Sequence, residues 1–400
     1  MIYLDVTSSC KSAKNTGMQR TTRRIFLELG KRVPVRPICW NTTGNRYHYL
    51  ERRELEILEA PFLALPQATA RPDWRGEHFL AELHRLVFRK AVRLEHELKA
   101  GDVLLIPDIY RDGRMKKLPE LITTTGARSV AIFHDAAALR LPRLSASARV
   151  RFQNYIRSLA TFDLVICISQ ESRDDLRNRW REYGTKPTMT AVEPWPIDFD
   201  EAERDGQKGS SHALLLSVGS FEPRKNHITL LRAAEKLWKE GFEFELQLIG
   251  RSTGYYGPTV TSELKRLQKR RRSIRWLRHV NDRALHRSYR ECRFTVYPSL
   301  IEGFGLPILE SLWHGKPCVC GSNGALGEAG RDGGCLFVDQ TSADSLAEGI
   351  KSLLTNRAQY ERLVAQARAR EFRVWSDYVD RLLEHLGGSP AEPVLVSHKS

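Results

Sequence analysis

The sequence predicts an α/β protein of two Rossmann-like, doubly wound domains facing each other across a cleft. Three observations predict it. Short apolar runs alternate with longer amphipathic segments along the chain, the pattern of parallel sheets joined by right-handed helical crossovers. Four hundred residues exceed what one hydrophobic core usually serves, so two domains are expected. A polar stretch with proline at its start and Gly/Ser at its end, "EPWPIDFDEAERDGQKGSS" (193–211), reads as the connection between them.

Taken in order, the strands expected first are "MIYLDV" (1–6), "DVLLIP" (102–107), "SVAIFH" (129–134) and "DLVICIS" (163–169). Beyond the connection come "HALLLSVG" (212–219), "FELQLIG" (244–250), "SIRWLR" (273–278), "FTVYPS" (294–299) and "CVCG" (318–321). Each is a short run rich in β-branched and large apolar residues, bounded by Gly, Pro or polar residues. The amphipathic segments 148–160, 226–240 and 258–271 supply crossover helices. The domains expected are 1–196 and 197–377, with a last helix at 378–386 packing back on the first and a flexible tail at 387–400.

Composition narrows the class. Hydrophobic residues are 41% and charged residues 28% of the chain, ordinary for a globular protein. The net charge of +15 is spread out: residues 1–200 carry 33 basic and 24 acidic side chains, residues 201–400 carry 30 and 24. Such a balance suits a phosphorylated substrate, an anionic membrane surface or nucleic acid. The seven cysteines lack zinc-site spacing and sit mostly in apolar runs, which suggests buried free thiols and a reducing cytoplasm. No run reaches the roughly 18 apolar residues of a membrane span, and "MIYLDVTSS" does not read as a signal peptide.

The loop "LIEGFGL" (300–306) follows a strand, and Pro307 suits the first turn of the next helix. This puts Glu302 at a strand's carboxyl end, where open parallel sheets bind ligands, and Glu310 just inside the helix. Gly303 and Gly305 let the backbone approach a ligand, and the helix start favours an anion. "SVGSFEPRKNHITLL" (217–231) repeats the pattern: strand, glycine loop, then Arg224 and Lys225 where a helix begins near Asn226. A planar guanidinium beside a mobile ammonium suits a diphosphate. "AIFHDAA" (131–137) ends a strand on His134, followed by Asp135.

"EPRKN", "YPSLIEGFGLPILES" and "GKPCVCGSNGALGEAGRDGG" together resemble the donor-binding domain of family-4 glycosyltransferases, which have the GT-B fold. The spacing from Glu302 to Glu310 matches that family's E-x7-E signature. The resemblance implies that Arg224 and Lys225 contact the diphosphate of a nucleotide-sugar. It implies that Glu302, with Gly303, Phe304, Gly305 and Leu306, holds the donor sugar, and that Glu310 binds ribose hydroxyls. "LRHVND" (277–282) is similar to the loop facing the nucleobase. More loosely, "NTGMQRTTRRIFLEL" (15–29) is similar to a glycine loop of bacterial lipopolysaccharide and capsule enzymes, with Gly17 facing the donor phosphate. "AIFHDAA" is similar to the strand ending in the cleft histidine, which makes His134 a catalytic candidate beside Glu302, Arg224 and Lys225.

The resemblance thus implies a retaining glycosyltransferase using a nucleotide-sugar, first guess GDP-mannose, and a glycan or lipid-linked acceptor in surface polysaccharide synthesis. No cofactor and no metal are expected. The enzyme is expected in the cytoplasm, with peripheral contact to the anionic inner face of the membrane. One departure is the turn before the second domain, which reads "EPWPIDFD" and contains a D-x-D at Asp198 and Asp200. A D-x-D can hold a metal, but a connecting segment is a poor place for one. Two rivals stay open: a glycoside hydrolase using Glu302 and Glu310 as its carboxylate pair, and a nucleic-acid-binding protein using the basic run 265–278. The latter lacks any accompanying recognition motif.

Overall fold

A computed structural model describes residues 1–11, 17–59, 92–140, 144–197, 213–254, 256–278 and 280–387. The first sheet holds β1 (Ile2–Asp5), β2 (Val35–Asn41), β3 (Arg46–Tyr49), β4 (Val103–Ile106), β5 (Arg128–Phe133), β6 (Leu164–Cys167) and β7 (Met189–Val192). Their order is β3-β2-β1-β4-β5-β6-β7. The second sheet holds β8 (Leu214–Val218), β9 (Glu245–Ile249), β10 (Ile274–Leu277), β11 (Phe294–Tyr297), β12 (Cys318–Cys320) and β13 (Cys335–Phe337). Here the order is β10-β9-β8-β11-β12-β13.

Every strand pair but one is parallel. The exception is β2–β3, an antiparallel hairpin with Cys39 opposite His48. The wholly parallel sheet expected from the alternation of runs and helices is therefore corrected at this edge. Strands β2, β3, β7 and β13 lie outside the predicted set. Pro37 interrupts β2, β7 is partly exposed along its length, and β13 has three residues, so none shows a long apolar run.

Both faces of each sheet are buried, as crossover helices require. Tyr3, Leu104, Ala131 and Val165 face one core layer, while Leu4, Leu105, Ile132 and Ile166 face another. In the second sheet, Leu215, Leu246 and Val296 face the layer under the helix His227–Lys239. Leu214, Leu216 and Ile249 point to the other side. The helix Trp375–His385 lies in the core layer of the first sheet, through Tyr378, Val379 and Leu382, and Arg32 donates to its Asp380 at 2.5 Å.

The expected polar connection is corrected over its first five residues. Trp195 and Ile197 are buried, and Glu193 is 1% exposed among Arg373, Arg381 and His385. The chain docks here because proline pairs with aromatic and aliphatic side chains that can be buried. Asp198 and Asp200, the rest of the expected connection and the expected tail beyond 387 lie outside the described residues. Among the described residues no helix is long and apolar enough to cross a membrane.

In each sheet the chain runs outward on one side and returns on the other, so each has a switch point, β1/β4 and β8/β11. Loops diverge there and leave a crevice at the strand carboxyl ends. The candidate site occupies the two crevices.

Candidate functional site

At the second sheet's switch point, β8 ends in Gly219, and the turn Pro223–Lys225 precedes the helix His227–Lys239. The Lys225 side chain passes Gly219, 3.5 Å from where a Cβ would lie, an ordinary packing distance. From β11, Tyr297, Ser299 and Glu302 reach the same place. Arg224 Nη1 donates to Glu302 Oε2 at 2.6 Å, and Lys225 Nζ to Oε1 at 2.6 Å. Tyr297 OH donates to Oε1 at 2.8 Å, and Ser299 Oγ donates to the same oxygen. Ser299 Oγ also lies 3.0 Å from the Arg224 carbonyl, to which the Leu300 N–H donates at 2.7 Å. The basic turn and the acidic loop are thereby fastened together.

Burial would push the Glu302 carboxyl up, but Lys225 and Arg224 outweigh it and bring it down to about 2. Burial pulls Lys225 below the usual lysine range, with Glu302 opposing. Arg224 Nε also donates to Glu222 Oε2 at 3.0 Å, so the two cations stand against two carboxylates, Glu302 and Glu222.

Glu310, on the helix Leu306–Trp313, is 6% exposed and accepts from Tyr289 OH at 2.7 Å. It stands apart from the cation pair, although Tyr297 lies in the field of both glutamates. Neither glutamate is a solvated surface charge. The hydrolase reading finds no support here, since Glu302 is committed to two cations.

The glycine loop also meets the first sheet. A Cβ on Gly303 would fall 2.7 Å from the His134 carbonyl oxygen and 2.7 Å from Asp135 Cβ. Glycine is required at 303 because the two sheets' loops touch there. Gly305 takes φ 94°, a left-handed start to the helix that other residues rarely adopt. Leu306 approaches the first residue of the helix Gly17–Gly30: its Cδ2 is 3.9 Å from a Cβ position on Gly17. Phe304 packs against Trp195, ring centroids 5.9 Å apart, and Trp195 packs against His134 at 5.0 Å.

His134 is 3% exposed and its Nε2–H donates to the Pro107 carbonyl at 2.6 Å. That bond sets the tautomer, leaving Nδ1 with no partner among the described residues. Burial lowers its pKa to about 4, so the ring is neutral at pH 7.

The structure thus joins Arg224, Lys225 and Glu302 directly, and brings Gly303 to His134 and Gly17 to Leu306. It adds Tyr297, Ser299, Trp195 and Asp135, which sequence reasoning did not place in the site. Asp135 and the aromatic in "EPWPI" were visible signals; Tyr297 and Ser299 read only as strand residues. In the loop 277–282, His279 lies outside the described residues, while Asn281 caps the helix Asp282–Glu291. Arg20 reaches Asp282 across the cleft at 3.6 Å.

Among the described residues, Cys10, Cys39 and Glu54 have donor atoms within 4.8 Å of one another, the one group close enough to hold a metal ion. The group lies in the core layer behind the first sheet, where the Cys39 thiol donates to Glu54 at 3.8 Å. In the basic run 265–278, Arg266 and Arg270 pair with Glu235, Arg275 pairs with Glu245, and most of the other basic side chains are exposed. It is a solvated face.

Comparison with known proteins shows the family and the fold. Residues 198–370 match the family model of the glycosyl transferases group 1. The O-antigen chain mannosyltransferase B of Escherichia coli is 31% identical, over 84% of this chain and 94% of its own length. The serotype-specific mannosyltransferase WbdA of Escherichia coli is 24% identical over 96% of this chain, which spans only 45% of WbdA's length. Among solved structures, Anabaena HepE in complex with UDP and glucose superposes with a TM-score of 0.66 at 15% identity, over 96% of this chain and 99% of that one. The chain belongs to the group 1 glycosyl transferases, family-4 enzymes of the GT-B fold.

Proposed function

We propose that the chain transfers a hexose from a nucleotide-sugar to a glycan or lipid-linked acceptor in surface polysaccharide synthesis, with retention of configuration. Mannose from GDP-mannose is the donor first in line, since WbdA and the O-antigen chain mannosyltransferase B both carry mannosyl transfer in their names. The observation that carries the reading is the pair of half-buried Arg224 and buried Lys225 sharing Glu302 at a sheet's switch point. Two adjacent cations where a strand meets a helix start suit a diphosphate, which can take the place of their internal carboxylate partners.

Departure of the sugar leaves its bonding electron pair on the diphosphate, whose charge grows as the bond breaks. Arg224 and Lys225 are positioned to meet that growing charge. Glu310, outside the cation pair, is suited to ribose hydroxyls, and Gly303 to Leu306 to the sugar. His134, neutral and with Nδ1 uncommitted, can accept a hydrogen bond from a sugar hydroxyl. No residue of the cleft calls for a metal in this scheme. The excess of positive charge supports peripheral contact with an anionic membrane carrying the acceptor.

A thermal-shift screen against GDP, UDP, ADP and dTDP tests the reading. A nucleotide at 100 times its Kd should add about 2.7 kcal/mol of stability. No shift with any of the four would overturn it, and a shift with UDP alone would move the donor away from GDP-mannose.

A further inference from the structure

We propose that Cys10, Cys39 and Glu54 hold a zinc ion that ties together three elements packed around the first sheet. The site is independent of the transfer reading. Cys10 ends the short helix Thr7–Cys10, Cys39 is on β2, and Glu54 is in the first turn of the helix Arg52–Glu59. Their donor atoms all lie within 4.8 Å of one another. Zinc bonds of about 2.3 Å to sulfur and about 2.0 Å to oxygen place tetrahedral ligand atoms roughly 3.5–3.8 Å apart, so closing around an ion takes about 1 Å of movement. Cys10 and Cys39 are fully buried, and Glu54 is 6% exposed. The carboxylate oxygens have separate tasks. Oε2 accepts from the Glu51 N–H at 3.0 Å, while Oε1 faces the Cys39 thiol at 3.8 Å. Oε1 is thus the ligand oxygen, and the Glu51 N–H holds the group in place as outer partners of metal ligands do.

A tetrahedral ion takes a fourth ligand, and His48 is the side chain placed to supply it. It pairs with Cys39 across the β2–β3 hairpin, so the two side chains stand on one face of the sheet. Their neighbours Trp40 and Tyr47 pack together in the core layer on the other face. Two thiolates with a carboxylate and an imidazole suit zinc, whereas magnesium and calcium take shells of oxygen. On binding, both thiols give their protons to solvent, which leaves three negative groups around a dication. Lys11 and Arg23 stand in the field of Cys10 and offset the excess, Arg23 also facing Asp108. Arg23 is 2% exposed, and its Nη2 donates to the carbonyl of Ser9, beside Cys10, at 2.9 Å. No metal motif announces the set, because its members lie far apart in the chain. Cys10 precedes the helix Gly17–Gly30, whose first residue meets Leu306 of the glycine loop, so the ion steadies the segment that leads to the cleft.

The test uses the full chain, purified with reductant and without chelator from cells grown with added zinc. Elemental analysis should find close to one zinc ion per chain. Exchange for cobalt(II) should give a thiolate-to-cobalt charge-transfer band and the strong visible bands of tetrahedral coordination, which an ion held by surface histidines lacks. Cys10→Ser, Cys39→Ser and Glu54→Gln should each weaken zinc binding by about 10²-fold or more, beyond the cost of losing an outer partner. Cys292→Ser, at a buried thiol beside the second sheet, should leave it unchanged. Stripping zinc from the wild type should lower its thermal midpoint, and added zinc should restore it. A wild type with neither zinc nor the cobalt–thiolate band overturns the proposal, whatever the variants do. Zinc held with wild-type affinity by both cysteine variants overturns it too, as does a Cys10–Cys39 disulfide in place of the ion in cells lysed into an alkylating agent.

Discussion

Glu302 is the residue on which the cleft's electrostatics turn. Its four partners come from two segments more than seventy residues apart, and a side chain between two cations differs from one proposed to meet ribose. Glu302→Gln should therefore lower kcat, by about 10²-fold if it acts as other electrostatic stabilisers do. Nucleoside diphosphate affinity should not weaken, because Arg224 and Lys225 are released from their internal carboxylate. Glu310→Gln should instead raise the donor KM with kcat little changed, the mark of binding equal in ground and transition states. Steady-state kinetics with calorimetry separates the two; identical profiles would refute the division. Arg224→Ala and Lys225→Ala should each weaken nucleoside diphosphate binding, the loss of a charge-assisted bond of roughly 1.5–3 kcal/mol. Unchanged affinity and turnover in both variants would remove the donor assignment. Folded Glu302 titrates near 2, well below an ordinary carboxyl. Its stabilising contribution is full above about pH 4.5 and is lost as pH falls toward 2.

At the scale of elements, the two sheets are fastened where a helix start meets a carboxylate. The helix Gln170–Glu182 begins with Ser169 as its cap, and Glu328 of the second sheet's side accepts from the Gln170 N–H at 2.8 Å and the Glu171 N–H at 2.6 Å. The helix dipole favours a negative charge there. Ser169 Oγ adds a bond to the Gly303 carbonyl at 2.7 Å, so the same helix start grips the donor loop. Glu328→Ala should worsen donor KM and kcat together by about 5- to 30-fold, the equivalent of 1–2 kcal/mol, through looser approach of the sheets. Small-angle scattering should show a larger radius of gyration; an unchanged radius with unchanged kinetics would refute the fastening. Gly303→Ala should be more severe, because its Cβ meets a carbonyl oxygen at 2.7 Å. Nothing in "GEAG" announces such a role. Helix caps are legible when local, as with Ser169, and illegible when the capping carboxylate lies 158 residues away.

Across the whole molecule, buried histidines set the response to acid. Burial lowers the pKa of His134 to about 4, and those of His227 and His314 to about 3. Unfolded, each titrates near 6.5, so between that pH and the folded pKa the unfolded chain binds more protons and stability falls as pH falls. At pH 5 the loss should be on the order of 2 kcal/mol for each histidine, read as a lower urea midpoint than at pH 7. An unchanged midpoint would show that the rings are solvated. Much of this architecture was legible. Apolar runs marked the strands nearest the two switch points, because a strand covered on both faces must be apolar throughout. The β2–β3 hairpin was not, since at a sheet edge Pro37 and the polar "RYHY" leave no such run. By itself the sequence determined the fold class and placed the two glycine loops at strand-to-helix junctions, because local periodicity and such junctions are written in neighbouring residues. Only the tertiary structure decided that Glu302 bridges the basic pair, that Gly303 must lack a side chain and that Asp135 lies against Gly303. Each of these depends on the distance between segments far apart in the chain, and that distance is set by how the two sheets pack.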